Sequence, residues 1–380
     1  MALGSLASGG RRSGRDLSSI GRGLDLVLIG AVVALSVIGV VMVYSATRGA
    51  EPPFSTSLLL RQGLFVVVSL AAMAVVALYD YRRLRDWAWV PFWVVVGMLV
   101  LVLSPLGSTI KGAQRWFSVG PFTLQPSEFA KVALVIALAA LLVDARGAVD
   151  LGRLGRALAA TGLVAGLVLL QPDLGTTLQY VAVVLVMLVV AGARGAHLLV
   201  LAVVAVALAV GVLTSDTLAS YQRDRLTSFI DPTSDLAGTT YNQNQSVTAV
   251  ASGGLIGQGL FDGPQTQLQF VPEQETDFIF AVVAEELGFV GGTAVLLLYG
   301  VVCWRTWRAA RFTRDPFGAL VCSGVLAILV FQAFANVGMA LGIMPVTGTA
   351  LPLLSYGGSS ALATGIGVGL VLSVGLRQHR

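Results

Sequence analysis

A chain of 380 residues that is 56% hydrophobic and only 12% charged has about half the charged share of an ordinary soluble domain, too little polar surface to coat a globule in water. Its formal charge of +4 comes from arginines that punctuate apolar runs instead of gathering into a patch, which points to membrane topology and away from nucleic acid as a partner. Two cysteines, Cys303 and Cys322, are too few for a disulfide framework or a metal site and give redox chemistry no support.

A hydrocarbon core about 30 Å thick takes roughly 20 apolar residues as a helix, because backbone groups without partners are costly there. Ten such runs are predicted, at about 24–44, 58–78, 87–106, 125–143, 154–171, 175–192, 196–214, 277–302, 318–341 and 350–374. The fifth to seventh are separated only by Gln171-Pro172-Asp173 and Ala193-Arg194-Gly195, so nine or eleven spans also fit. The fold class is thus an all-α integral membrane protein with about ten transmembrane helices.

Positive charge near short loops stays in the cytoplasm. With the N-terminus inside, 17 of the 24 basic residues fall on inner segments, and Arg48, Arg61, Lys111, Arg115, Arg223 and Arg225 fall outside. Both termini are then cytoplasmic: a tail over 1–23, a single membrane domain over 24–376 and a short tail over 377–380. The first apolar run, about 21 residues, follows an arginine-rich stretch and reads as an uncleaved anchor. One long extracytoplasmic loop, about 215–276, joins the seventh and eighth helices, and loops of this length in compact proteins are usually functional. Its centre, residues 241 to 261, is too short and Gly-broken to span but suits a helix at the interface.

Ionisable groups inside a membrane are expensive and each is a functional candidate. Between the third and fourth spans, Lys111, Arg115 and Trp116 make a basic, aromatic stretch at the outer interface. Trp116 also suits an ordinary aromatic belt, while the two cations suit a phosphate. The fourth helix opens Gln125-Pro126-Ser127-Glu128, and Lys131 lies three residues after Glu128, on the same helix face. That pair is expected to bond, although a capping role for Glu128 is the alternative. Asp173, in Gln171-Pro172-Asp173-Leu174-Gly175, is either a site carboxylate or plain turn chemistry. In the eighth helix, Thr276 is expected as the N-cap and Asp277 in the first turn, where the helix dipole keeps a carboxylate ionised; Glu285 and Glu286 are read as structurally paired. Before the last helix, two prolines, paired glycines and hydroxyls including Ser355 predict a broken or re-entrant entry, with small-residue helix packing as the alternative. His197 and His379 are isolated.

Together these describe an outward-facing site for an anionic, membrane-borne substrate. Several motifs then carry a resemblance: RWF and LQPSEFAK within 115–131, LQPDLGT at 170–176, SGGLIGQGL at 252–260, PEQETDFIFAVVAEELG at 272–288, and NVGMALGIMPVTG with LPLLSYGGSS within 336–360. Over essentially all ten spans the chain resembles the SEDS proteins (shape, elongation, division and sporulation), most closely the RodA branch, with the FtsW branch as the alternative. The resemblance implies a peptidoglycan glycosyltransferase of the bacterial cytoplasmic membrane. Such an enzyme polymerises lipid II, an undecaprenyl-diphosphate-linked disaccharide pentapeptide, beside a class B penicillin-binding protein. It places the catalytic carboxylate on Asp277 and the family's Glu and Lys on Glu128 and Lys131. Gln125, Arg115, Lys111, Trp116, Asp173, Thr276 and Ser355 are the expected substrate contacts. Cations or a divalent ion, Mg or Mn, held by Asp277 would offset the leaving charge. Relatives commonly carry histidine where this chain has Glu275, whose charge would raise the pKa of Asp277. Two other readings fit a polar cavity among helices: a flippase for lipid-linked precursors, which would place polar residues on both sides of the membrane, and a non-catalytic scaffold for a partner synthase.

Overall fold

The computed structural model describes residues 24–50, 52, 54–110, 112–120, 122–145, 149–201, 203 and 239–378. Uniformly apolar runs become helices because each helix satisfies its own backbone. In chain order they are α1 (Leu26–Thr47), α2 (Ser57–Leu78), α3 (Trp89–Val102), α4 (Pro126–Leu142), α5 (Leu151–Leu169) and α6 (Leu174–Val190). After these come α7 (Thr239–Ser252), the short α8 (Pro264–Gln267), α9 (Ile279–Phe312), α10 (Pro316–Ala340) and α11 (Gly358–Leu376). Six of them, α1, α2, α5, α9, α10 and α11, are long and apolar enough to cross a membrane, and α3 and α6 are shorter apolar helices. The seventh expected span, 196–214, and the loop up to residue 238 lie for the most part outside the described residues, as do Lys111 and His379.

Several boundaries differ from the sequence expectation, each for a local reason. The third apolar run ends as a helix at Val102. The chain then forms a three-stranded antiparallel sheet, β1 (Ser108–Ile110), β2 (Ala113–Val119) and β3 (Phe122–Leu124), so the fold is not purely helical. Alternating residues and the tight turns at Gly112 (φ 77) and Gly120 (φ 61) suit a meander there. The last helix starts at Gly358 instead of about 350, because Leu353 and Gly357 hold positive φ (67 and 159) that no helix accommodates. The expected broken entry is therefore present. In the described part of the loop, the helix occupies 239–252, and it packs on protein: Gln243 Nε2 donates to the Met344 carbonyl (2.7 Å) and Ser246 Oγ to the Ala340 carbonyl (3.0 Å).

The Gly-rich half of that loop has another task. Helix α9 is interrupted at Gly288 (φ 66, ψ −166), a conformation essentially open to glycine alone. The groups freed by the break bond to the loop. The N–H groups of Gln258 and Gly259 donate to the carbonyls of Glu285 and Glu286 (2.9 and 3.1 Å), and those of Phe289 and Val290 donate to the carbonyls of Gly254 and Leu255 (2.9 and 3.1 Å). A kink inside a membrane helix is tolerated when another element satisfies its backbone in this way. Both acids just before the break also hold this region: Glu285 accepts from the backbone N–H of Gln265 and Thr266 and from the Thr266 hydroxyl (2.7, 3.0 and 2.6 Å), and Glu286 accepts from Ser45 of α1. A Cβ on Gly257 would stand 2.0 Å from the Glu286 carbonyl oxygen. Gly257→Ala is therefore expected to cost at least about 2 kcal/mol, read as a lowered melting temperature of the detergent-solubilised protein.

The bundle has two unlike ends. At one, arginines tie helix termini together: Arg305 pairs with the α1 N-cap Asp25 (2.6 Å), Arg85 with Asp144 (2.9 Å), and Arg377 donates to the Leu78 carbonyl (2.8 Å). At the other end lie the sheet, the 171–173 turn, α8, and the segments before α9 and α11.

Candidate active site

The site is built at this second end. Chain segment 273–278 makes a tight turn ahead of α9: Glu273, at φ 57, offers its carbonyl to the N–H groups of Thr276, Asp277 and Phe278 (3.1, 3.0 and 3.3 Å). Left-handed φ at a residue other than glycine costs roughly 1 to 3 kcal/mol and needs support from its surroundings. The turn also moves the helix start. Phe278 is the N-cap, with no side-chain cap, so Thr276 does not cap α9 and Asp277 precedes its first turn. The dipole at the helix end is thus not what places this carboxylate.

What does place it is a set of hydrogen bonds from the segments that precede α11 and end α10. The Tyr356 N–H donates to the Glu275 carbonyl (2.8 Å), the Ser355 hydroxyl to the Thr276 carbonyl (2.6 Å) and the Asn336 amide to the Asp277 carbonyl (2.8 Å). Gln274, buried, donates to the carbonyls of Ala46 and Thr266 (2.7 and 3.0 Å). Four successive residues are thereby fixed, while the Asp277 side chain is half-buried. Gln62 of α2 steadies the other side, donating to the Ser355 carbonyl (3.2 Å) and accepting from the Gly357 N–H (3.4 Å).

Glu128 and Lys131 form the expected ion pair, 2.7 Å apart and buried. The α4 N-cap is Gln125, without a side-chain cap. Glu128 therefore serves the lysine. Gln125 joins α4 to the last motif, its N–H donating to Ser359 Oγ (2.9 Å) and its amide to Ser127 Oγ (3.1 Å). Arg115, on β2, does not stand open for a phosphate: its guanidinium donates to the Gln171 carbonyl (2.6 Å) and the Pro172 carbonyl and lies 3.7 Å from the Asp173 carboxylate. Asp173 in turn caps α6, accepting from the Thr176 N–H and hydroxyl (3.1 and 2.9 Å). The turn reading of Asp173 therefore holds. Trp116, half-buried, pairs with Ser108 across the sheet.

The sequence reading named Glu128, Lys131, Asp277 and Ser355 but passed over Gln62, Gln274 and Asn336. Their signal was there: each is a buried polar side chain in or beside an apolar run. Two further contacts knit the motifs into one unit. Asn336 also donates to the Thr349 carbonyl (2.8 Å), and α6 approaches the same turn so closely that a Cβ on Gly175 would meet the Thr347 carbonyl at 2.7 Å.

Among the described residues, no three His, Cys, Asp or Glu side chains approach closely enough to hold a metal. A magnesium ion held by one carboxylate and phosphate oxygens needs no such cluster.

Fold and site together define a multi-pass membrane protein with a polar site around a half-buried carboxylate at the end of the bundle away from its arginine-rich turns. The chain belongs to the SEDS family: residues 26–380 match the family described as cell cycle protein, FtsW/RodA/SpoVE. It is similar to stage V sporulation protein E of Bacillus subtilis, 39% identical over 357 residues, 92% of this chain and 96% of that protein. It is equally similar in extent to the peptidoglycan glycosyltransferase MrdB of Escherichia coli K12, 37% identical over 359 residues, 94% of each chain. Among solved structures, a chain from work on the structural coordination of polymerization and crosslinking by a peptidoglycan synthase complex superposes with a TM-score of 0.79 at 35% identity, covering 94% of this chain and 99% of that one. The rod shape determining protein RodA of Thermus thermophilus superposes at 0.70 with 33% identity, covering 94% and 98%.

Proposed function

We propose that this chain is a peptidoglycan glycosyltransferase that polymerises lipid II at the outer face of the cytoplasmic membrane, in complex with a class B penicillin-binding protein, for cell elongation and shape. The observation that carries this reading is the turn at 273–278, where the segment bearing one half-buried aspartate is held by hydrogen bonds from two other motifs of the chain. The names of the E. coli relative and of the synthase complex support the activity and the partner. The arginine-rich end of the bundle supports the orientation, with the site on the opposite, extracytoplasmic side.

In the proposed reaction, the Asp277 carboxylate takes the proton from the 4-hydroxyl of the acceptor sugar as that oxygen attacks C1 of the donor glycan. The bond from C1 to the diphosphate oxygen breaks, and undecaprenyl diphosphate leaves with the electron pair. Fixing the aspartate through its main chain keeps the base within reach of the hydroxyl. Lys131 and Arg115 are both already partnered, and of the three cations that the resemblance brings to the site, Lys111 is the one proposed for the diphosphate. A Mg or Mn ion on Asp277 would supply further charge neutralisation, and no step depends on it.

Purified protein given fluorescent lipid II, with and without a class B penicillin-binding protein, tests the reading. A ladder of glycan on a gel that requires this chain is the expected result. Lipid II that crosses vesicles without being polymerised would mark a flippase. Polymer made by the partner alone would mark a scaffold.

A further inference from the structure

We propose that Asn336 is a positioning residue for the glycosyl transfer, acting through the main chain of Asp277; this rests on the catalytic reading of Asp277 given above. Asn336 lies in the last turns of α10 and is fully buried. Its Nδ2 donates to two carbonyls at once, Asp277 and Thr349, each at 2.8 Å, so one side chain ties the turn bearing the carboxylate to the turn that α6 packs against. An amide with two N–H groups is the donor such a bridge requires, because both partners are acceptors. Its Oδ1 is buried and makes no hydrogen bond among the described residues. A burial that leaves an acceptor unpaired is costly, so stability alone is a poor reason for an amide here. Positioning the carbonyl of Asp277 is a better one: the hydrogen bonds at Glu275 and Thr276 hold the preceding residues, and only the Asn336 contact acts on Asp277 itself among those three.

A residue acting this way changes turnover more than substrate capture. Asn336→Ala is expected to lower kcat for lipid II polymerisation tenfold or more, with KM within twofold of the parent. Gln243→Ala is the control, since it also removes a buried amide that donates to a main-chain carbonyl (Met344, 2.7 Å) beyond α10 but touches nothing at Asp277. It should lower the melting temperature similarly and leave kcat unchanged. Asn336→Ser, which keeps one donor, should fall between the parent and Asn336→Ala, and it takes the place of Asn336→Ala if that variant fails to reach the membrane. Full kcat in the Asn336 variants while Asp277→Asn is inactive would overturn the positioning role and leave the base in place. An equal loss of kcat in Gln243→Ala would overturn it too, as general loosening. Full activity of Asp277→Asn would remove the base and the positioning role together.

Discussion

Lys131→Met is expected to destabilise the protein by about 3 to 5 kcal/mol, the cost of leaving a buried carboxylate without its cation. The pair is 2.7 Å apart, with Lys131 only 2% and Glu128 8% exposed, so water cannot replace the lost partner. Helix α4, nearly all of whose side chains are buried, has no freedom to turn the acid outward. The double variant Glu128→Gln, Lys131→Met should recover most of the loss, because a neutral amide is far cheaper to bury than an unpaired charge. Melting curves of the detergent-solubilised variants check this. A single variant as stable as the parent would show that the pair does not set the packing of α4. The double variant also asks whether the pair serves the chemistry: a refolded but inactive protein would place its charge in the reaction.

Much of the fold was legible because a bilayer leaves few options for backbone. Long apolar runs at 24–44, 58–78 and 318–341 became helices close to their expected limits, and spacing by three predicted the Glu128–Lys131 contact. The site was legible as a set of motifs, not as a geometry. Nothing in the residues 273 to 278 reveals that Glu273 takes a left-handed turn, so Thr276 looked like a cap and Asp277 like a first-turn acid. The sheet at 108–124 was hidden because its strands are too short to show a period against apolar neighbours. Arg115 pointed to phosphate by type, whereas its partners, the carbonyls of Gln171 and Pro172, lie more than fifty residues away and leave no local trace. Similarly, the role of the glycines at 253–259 depends on their meeting the break at Gly288, a contact set by tertiary packing alone.

The central claim is that one carboxylate, held by the three-motif turn, does the proton transfer. The most direct test is the initial rate of lipid II polymerisation by Asp277→Asn, a near-isosteric change that keeps the main-chain bonds to Asn336 and to Glu273. General base catalysis contributes roughly 10²- to 10⁴-fold, so a loss of at least about 100-fold in kcat is expected, with an unchanged melting temperature and undiminished binding of the penicillin-binding protein partner. A polymerisation rate within a fewfold of the parent in that same folded protein would contradict the account.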